Sequence, residues 1–205
     1  MSDVKSRREQ YSDATRAALI AAATTRFATE GYSATALEDV AADIRATRGA
    51  VYHHFGNKRA LFEAVMEELA AAAFEQIVRA RAGADSPWAG AVAALEAFLD
   101  RCMDPVYSRV VWQEGPVALG WRAWQATEQK YAYGQIEEIL RDLVGDGEID
   151  PLPLGPATRV VFWALGAAGL GLAEADPAER SALRADYAEV ARRLLVGLRS
   201  AADPV

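Results

Sequence analysis

The chain of 205 residues is long enough to bury a full hydrophobic core, as one domain or as two small ones. Its 52% hydrophobic and 25% charged residues are ordinary for a soluble globular protein, which excludes disordered and low-complexity classes. The single cysteine excludes an internal disulfide, and the net charge of −7 argues against nucleic-acid binding unless the cations are concentrated in one region.

The charge is unevenly distributed along the chain. Residues 1–60 contain nine Lys and Arg against seven Asp and Glu, whereas the remainder contains thirteen against twenty-two. Affinity for DNA follows the local charge, so a DNA-binding surface is compatible with the first 60 residues. Lys5, Arg7 and Arg8 belong either to an arm that reaches phosphates or, as we favour, to a frayed and solvated terminus.

Signals for export or membrane insertion are missing from the sequence. The first eleven residues lack the apolar core of a signal peptide. The longest apolar run, Val160 to Ala173, is shorter than the ~20 residues that span a bilayer. With the single cysteine, these features predict a cytoplasmic protein.

Two helices are predicted at the start of the chain. The first begins after residue 12 or 13 and ends before Gly31, a residue type suited to a helix C-cap. The second begins near Ala36, with Thr35 as its N-cap and Glu38 three residues on to complete a reciprocal cap. Its apolar stripe at helical spacing consists of Leu37, Val40, Ala41 and Ile44.

A short third helix carries the pattern of a recognition helix. Thr47 can cap it, and it ends before Gly56. One side is mainly apolar, and a helix this short is stable only if that side is buried. The other side offers donors to phosphates and base edges, with a glycine that permits close approach to DNA. The first side holds Ala50, Val51, His54 and Phe55, and the second holds Arg48, Gly49, Tyr52 and His53.

These residues resemble the DNA-binding domain of the TetR family of transcriptional regulators. The resemblance covers roughly residues 15–66 and is densest in T-R-G-A-V-Y-H-H-F-G-N-K, residues 47–58. It implies that the short helix enters the major groove. The family commonly has glycine where this chain has Arg45, so a positive φ there would cost about 1 kcal/mol. The contacts implied are by Arg48, Gly49, Tyr52 and His53 with bases or backbone, and by Thr35, Thr47 and Lys58 with phosphate.

The rest of the chain is also predicted to be helical. Sustained period-2 alternation is missing, so the fold is expected to be all-α: an N-terminal three-helix helix-turn-helix domain and a C-terminal helical domain for ligand binding and dimerisation. We place the domain boundary between residues 1–56 and 57–205. The predicted helices are 57–81, with Asn57 as its N-cap, 88–103, 105–113, 116–144, 158–174 and a last one from Asp176 onward.

The last two helices are predicted to form a homodimer. Gly166, Gly169 and Gly171 lie within the first of them, and only close approach of another helix offsets their cost of up to ~1 kcal/mol each. The resemblance implies that this pair makes a symmetric four-helix interface, and an ordinary intramolecular core is the alternative. The second helix carries a stripe of Leu183, Tyr187, Val190, Leu194 and Leu198.

The resemblance also implies a pocket for a small effector in the C-terminal half, where all five Trp lie. The alternative is that these aromatic residues form ordinary core. Glu114 and Glu128 are among the polar residues that could orient a ligand or could be solvated. An apolar or aromatic effector, with a cation as a further option, fits this composition. The candidate effector residues are Phe98, Cys102, Met103, Trp112, Trp121, Trp124, Tyr131, Phe162 and Trp163.

Catalysis is not expected. His53 and His54, the two histidines, point about 100° apart on one helix and cannot share a metal, and the sequence gives Cys102 no His partner. Nucleotide-binding, nucleophile and zinc motifs are missing, so we expect no metal and no cofactor. The sequence predicts a ligand-responsive repressor that binds double-stranded operator DNA as a homodimer and is released by its effector. A ligand carrier or adaptor that does not bind DNA is the alternative.

Overall fold

The computed structural model describes residues 7–199, with side chains from residue 9 onward, and this part of the chain consists of helices and turns. Extended pairing within it is limited to an isolated antiparallel bridge between Ile149 and Arg199. The predicted all-α fold, with a helix-turn-helix unit followed by a helical C-terminal half, is confirmed.

The N-terminal helices follow the predicted order. Residues 7–11 belong to the first helix, which therefore begins earlier than expected. The rest of the predicted arm or frayed terminus, residues 1–6, lies outside the described residues. Lys5 lies outside the described residues, as do the side chains of Arg7 and Arg8. The helices are α1 (Arg7–Thr29), α2 (Leu37–Asp43), α3 (Arg48–Phe55) and α4 (Lys58–Ala82).

Two of the three predicted N-caps are present. Thr47 Oγ1 accepts from the backbone N–H of Ala50 at 3.2 Å, and the Asn57 side chain caps α4 in the same way. The predicted cap at Thr35 is wrong, because Ala36 occupies the N-cap position of α2 without a side-chain bond. The Thr35 hydroxyl is buried and donates to the carbonyl of Gly31 at 2.9 Å. Thr35 therefore closes the turn after α1 and leaves α2 uncapped.

The turn between α2 and α3 contains a strained residue. Arg45 has φ 55°, the left-handed conformation, and it is the single non-glycine residue with positive φ in the described chain. An L side chain in this conformation places Cβ close to the next carbonyl oxygen. Arg45 therefore stores strain in the turn that orients α3.

We expect Arg45→Gly to stabilise the folded protein by up to about 1 kcal/mol, because glycine adopts a positive φ without that clash. The measurement is chemical denaturation of the purified protein without DNA. Arg45→Ala is the matched control, since it removes the charge but keeps Cβ and the strain. An equal free energy of unfolding for the two variants would contradict backbone strain at Arg45.

The C-terminal half contains the remaining helices, and three of their boundaries differ from prediction. The helix predicted from Thr158 begins at Leu154. A single helix was expected from Pro116 to Val144, but Gly120, at φ 77° and ψ 152°, breaks it after Leu119. The last helix begins at Arg180, because residues 177–179 form a turn. The elements are α5 (Pro87–Met103), α6 (Pro105–Tyr107), a π-helical segment (Ser108–Glu114), α7 (Gly115–Leu119), α8 (Trp121–Gly145), α9 (Leu154–Glu174) and α10 (Arg180–Val196).

Helix α9 has close neighbours at two of its glycines, as predicted. A Cβ at Gly169 would overlap the ring of Trp112, and one at Gly171 would overlap the hydroxyl of Tyr187. With 21 residues, α9 is longer than the apolar run in the sequence, and by length and composition alone it could cross a membrane. It packs against α5, α8, α10 and the π-helical segment, as a core helix of a globular protein does.

The hydrophobic core is continuous across the predicted domain boundary. One cluster contains Phe27 and Phe62 of the helix-turn-helix unit together with Leu99, Trp112 and Leu172 of the C-terminal half. Phe27 and Phe62 on one side of the boundary, and Leu99 and Leu172 on the other, are fully buried. The boundary between residues 56 and 57 therefore stays a prediction about function and does not coincide with a gap in the core.

Candidate DNA-binding surface and effector cavity

Helix α3 buries one side and exposes the other, as a recognition helix must. Val51 is 0% exposed and Phe55 is 8% exposed, so the apolar side lies in the core. The four side chains or positions predicted to face DNA are all exposed: Arg48, Gly49, Tyr52 and His53. The exposed side offers a cation, a phenol and an imidazole around a position with no side chain.

Arg48 is anchored on this exposed side. Its Nε lies 2.9 Å from Oε1 of Glu38, and its guanidinium lies 5.3 Å from the ring centroid of Tyr52. Hydrogen bonding to Tyr52 and the charge of Glu38 raise the pKa of Arg48 above its ordinary value. The side chain remains 69% exposed, so a permanent cation is presented to solvent next to Tyr52.

The three residues expected to touch phosphate lie in different environments. Thr47 is exposed at the N-terminus of α3, whereas Thr35 is 1% exposed. Lys58 Nζ donates to the backbone carbonyls of Tyr32, Ser33 and Thr35 at 2.8, 3.1 and 3.0 Å. Lys58 thus binds the turn between α1 and α2. The phosphate contacts of all three stay predictions.

His54 is half-buried on α3, between the exposed and the buried side of the helix. Burial, and then the neighbouring charges of His53 and Arg16, lower the pKa of His54 below its ordinary value. Arg16 also lies over the ring of Phe55, with its guanidinium carbon 5.2 Å from the centroid. The lowered pKa favours the neutral form of the His54 imidazole.

A cavity of about 330 Å³ lies in the C-terminal half. It is open to solvent on one side and lies between α4, α5, α8 and α9, and residues of α10 also line it. The walls are apolar and rich in aromatic rings, which suits a small hydrophobic ligand. The aromatic side chains lining it are Phe74, Phe98, Tyr107, Trp112, Tyr131 and Phe162.

Four of the nine candidate effector residues line this cavity, namely Phe98, Trp112, Tyr131 and Phe162. The other five are Cys102, Met103, Trp121, Trp124 and Trp163, and they do not line it. Cys102 is buried in the core, where burial raises the pKa of its thiol. Trp124 donates from Nε1 to the carbonyl of Val111 at 2.8 Å, and Trp121 stacks on Trp163 at 5.8 Å. The assignment of effector contacts stays a prediction.

The cavity wall also contains residues that the sequence reasoning did not single out. Phe74 and Ile77 of α4 line it, and so does Gln135 of α8. Gln135 follows Glu128 by seven residues, which places both on one face of a helix. The spacing of these two polar residues, in a helix whose Trp124, Ile136 and Leu140 are buried, was the feature of the sequence that could have identified Gln135.

The π-helical segment connects the cavity with the helix-turn-helix unit. Trp112 lines the cavity, and Glu114, two residues later, accepts from the backbone N–H of Tyr32 at 2.9 Å. The second oxygen of Glu114 pairs with Arg109 at 2.9 Å, and a Cβ at Gly31 would contact it. Glu114 therefore holds the turn after α1, and it does not line the cavity.

Two models of known protein families match the N-terminal and the C-terminal parts of the chain. Residues 19–65 match the family model for bacterial regulatory proteins of the tetR family. Residues 88–198 match the model for the tetracyclin repressor-like C-terminal domain, which covers more than half of the chain. The chain belongs to the TetR family. It is a TetR-family transcriptional regulator, which confirms the family predicted from α3.

Individual relatives of this TetR-family chain are distant in sequence. It is 22% identical over 145 residues to the transposon Tn10 TetC protein of Escherichia coli, covering 71% of this chain and 73% of that protein. A TetR-family transcriptional regulator from Pectobacterium atrosepticum superposes with a TM-score of 0.82 at 27% identity, over 96% of this chain and 99% of that one. The fatty acid degradation regulator FadR from Bacillus halodurans has a TM-score of 0.72 at 18% identity, over 91% and 97% of the two chains, which shows the shared fold alone.

Proposed function

We propose that this TetR-family regulator is a repressor that binds double-stranded operator DNA through α3. The exposure of Arg48, Gly49, Tyr52 and His53 on a helix anchored by buried Val51 and Phe55 is the observation that carries the proposal. The arrangement of α2 and α3 as a helix-turn-helix, and the excess of cations in residues 1–60, support the same assignment.

The proposed active form is a homodimer through α9 and α10. Large apolar side chains are exposed there, and a second copy of the chain would remove them from water. The stripe predicted on α10 divides: Leu183 and Tyr187 pack on the core, and its later residues are exposed. The exposed apolar residues on this side are Val160, Val190, Leu194, Val196 and Leu198.

The proposed effector is a small hydrophobic or aromatic compound that binds the cavity between α4, α5, α8 and α9. Helix α4 begins at the helix-turn-helix unit and lines the cavity with Ala70, Ala73, Phe74 and Ile77. A ligand that binds better when two α3 helices are not about 34–36 Å apart would shift the dimer away from DNA. The α4 helix and the Glu114 contact are the physical connections available for that shift.

The protein is proposed to act in the cytoplasm, without catalysis and without a cofactor. The family and the similar proteins are transcriptional regulators, which supports this assignment. A ligand carrier or adaptor that does not bind DNA is the rival function. It predicts ligand binding in the cavity together with DNA affinity that is weak and independent of sequence.

Selection of bound fragments from random DNA by the full-length protein tests the proposal. We expect an enriched sequence with two-fold symmetry, bound by two chains, whose affinity falls steeply with salt. Candidate apolar and aromatic compounds are then tested for release of that sequence, and transcription from a promoter overlapping it should fall with the protein and recover with the compound. No enriched sequence would support the carrier, and activated transcription would contradict repression.

A further inference from the structure

The cavity contains a carboxyl group without a hydrogen-bond partner. Oε1 of Glu128 is buried and accepts no hydrogen bond from the protein, and Glu128 lines a cavity whose walls are mainly hydrocarbon. Buried polar atoms in folded proteins are almost always hydrogen-bonded, because leaving one unpaired is costly. An exception inside a ligand-sized cavity indicates that the partner belongs to the ligand.

The protein supplies no cation to Glu128 within the described chain. Arg101 of α5 lies over the ring of Tyr107 and 3.9 Å from Asp104. Its buried Nε also has no hydrogen-bond partner, but Arg101 does not line the cavity, and burial is the only cause of the pKa shift of Glu128. The acidic groups that interact with Glu128 are the Cys102 thiol and the Tyr107 phenol, which offer no positive charge.

Two other cations of the C-terminal half are held by partners of their own. Lys130 of α8 pairs with Glu67 of α4 at 2.8 Å. Arg180 of α10 donates to the Leu172 carbonyl and to the hydroxyl of Ser108. Burial therefore raises the pKa of the Glu128 carboxyl to about 7.

A second unpaired acceptor lies two helical turns along the same helix. Gln135 donates from Nε2 to Glu138 at 3.1 Å, and its Oε1 is buried without a partner. The spacing of seven residues separates the two acceptors by roughly 10 Å along α8. The unpaired donor of the cavity wall is Nε1 of Trp112. Acceptors thus outnumber donors among these unpaired groups.

The walls around these acceptors favour a positively charged ligand as well. Six aromatic side chains line the cavity, and the faces of aromatic rings attract organic cations. An anionic ligand would instead meet the Glu128 carboxyl group with no compensating cation. A neutral hydrocarbon would leave Glu128 and Gln135 unpaired.

We infer that the effector is a lipophilic amine, whose protonated nitrogen donates to Glu128 while its apolar body fills the aromatic cavity. This inference rests on the proposed function of the cavity as the effector site. Ligands long enough to reach Gln135 would place a second donor there.

The inference predicts a direction for the pH dependence. An amine remains protonated near neutrality, so binding requires the Glu128 carboxylate and displaces its proton to solvent. Amine affinity should therefore fall about tenfold between pH 8 and pH 6, as the carboxyl protonates around pH 7. The affinity of a neutral analogue should not change over this range.

The test uses three probes with one apolar body, namely 4-phenylbutylamine, 4-phenylbutanol and 4-phenylbutyrate. Their affinities for the full-length protein are measured by titration calorimetry at pH 8 and pH 6, in buffers of different ionisation enthalpy to count released protons. Glu128→Gln keeps the shape and removes the charge. Glu137→Gln, at an exposed ion pair with Arg141 on the same helix, is the matched control.

We expect the amine to bind about ten- to a hundredfold more tightly than the alcohol and the acid at pH 8. Glu128→Gln should remove that preference and the proton release, and Glu137→Gln should keep both. Equal affinities, a preference for the acid, no binding by any probe, or an unchanged preference in Glu128→Gln would each overturn the inference.

Release of the selected operator is measured separately with the same probes. Selective amine binding that leaves the operator bound would overturn the proposed regulation by this site and leave the amine inference standing. Release by the alcohol or the acid, with no advantage for the amine, would support regulation by this site and overturn the amine inference.

Discussion

Arg48→Ala is expected to weaken operator binding by about 1–3 kcal/mol for each half-site, and thus by about 2–6 kcal/mol for a dimer. The guanidinium stands on the exposed side of α3 and loses little when it exchanges Glu38 for DNA, because a surface ion pair contributes ~1 kcal/mol or less. Equilibrium binding to the selected operator at several salt concentrations measures the effect. A lost base contact changes affinity mainly for the operator, whereas a lost phosphate contact also reduces the salt slope by about one for each chain.

Arg79→Ala provides the matched control for this experiment. Arg79 is 72% exposed and pairs with Glu75, much as Arg48 is 69% exposed and pairs with Glu38, but it lies at the far end of α4. The control should bind the operator as the unaltered protein does. Equal affinity of the Arg48 variant and the control would contradict a role for the exposed side of α3 in DNA recognition.

Lys58 has two possible roles, binding phosphate and holding the turn after α1, and a substitution distinguishes them. Its position past Gly56 resembles a phosphate-binding lysine, yet its ammonium bonds to three carbonyls of the turn at residues 32–35. If it keeps those bonds on DNA, Lys58→Met should lower stability and leave the salt slope unchanged. If it turns to phosphate, the slope should decrease by about one for each chain.

Local sequence signals predicted the helix-turn-helix unit well, because its structure depends on caps and short-range periodicity. Thr47 and Asn57 cap α3 and α4 as expected, and Gly56 ends α3. The cap at Thr35 was wrong for a tertiary reason. Its hydroxyl has a competing acceptor in the Gly31 carbonyl, and the turn that brings them together is held from outside by Lys58 and Glu114.

The sequence predicted the aromatic character of the cavity but not which residues line it. The sequence indicated an aromatic C-terminal half, but aromatic residues at helical spacing are compatible with a core or a cavity, and the packing of several helices decides between them. Gly120 and the π-helical turn rotate the helix faces that follow them. Trp112, within the π-helical turn, lines the cavity, whereas Trp121, directly after Gly120, stacks on Trp163 outside the lining.

Glu114→Ala is expected to lower stability by about 1–3 kcal/mol, because the backbone N–H of Tyr32 loses its acceptor in a place that water reaches poorly. The Glu114 side chain is 13% exposed, and its partner Arg109 would also lose its charge pair. For a chain of 205 residues this corresponds to a decrease in Tm of ~2–4 °C for each kcal/mol. Thermal unfolding without DNA or effector measures it.

The same substitution should reduce the effect of an effector on operator affinity. Trp112 contacts the cavity and Glu114 contacts the turn after α1 within a single π-helical segment, a feature frequently found at functional sites. A ligand that displaces Trp112 therefore moves Glu114 against the helix-turn-helix unit, and the coupling free energy should decrease when that contact is removed. Glu63→Ala, which breaks the exposed ion pair with Arg59, is the control. Unaltered Tm and unaltered release in the Glu114 variant would leave α4 as the connection between the two sites.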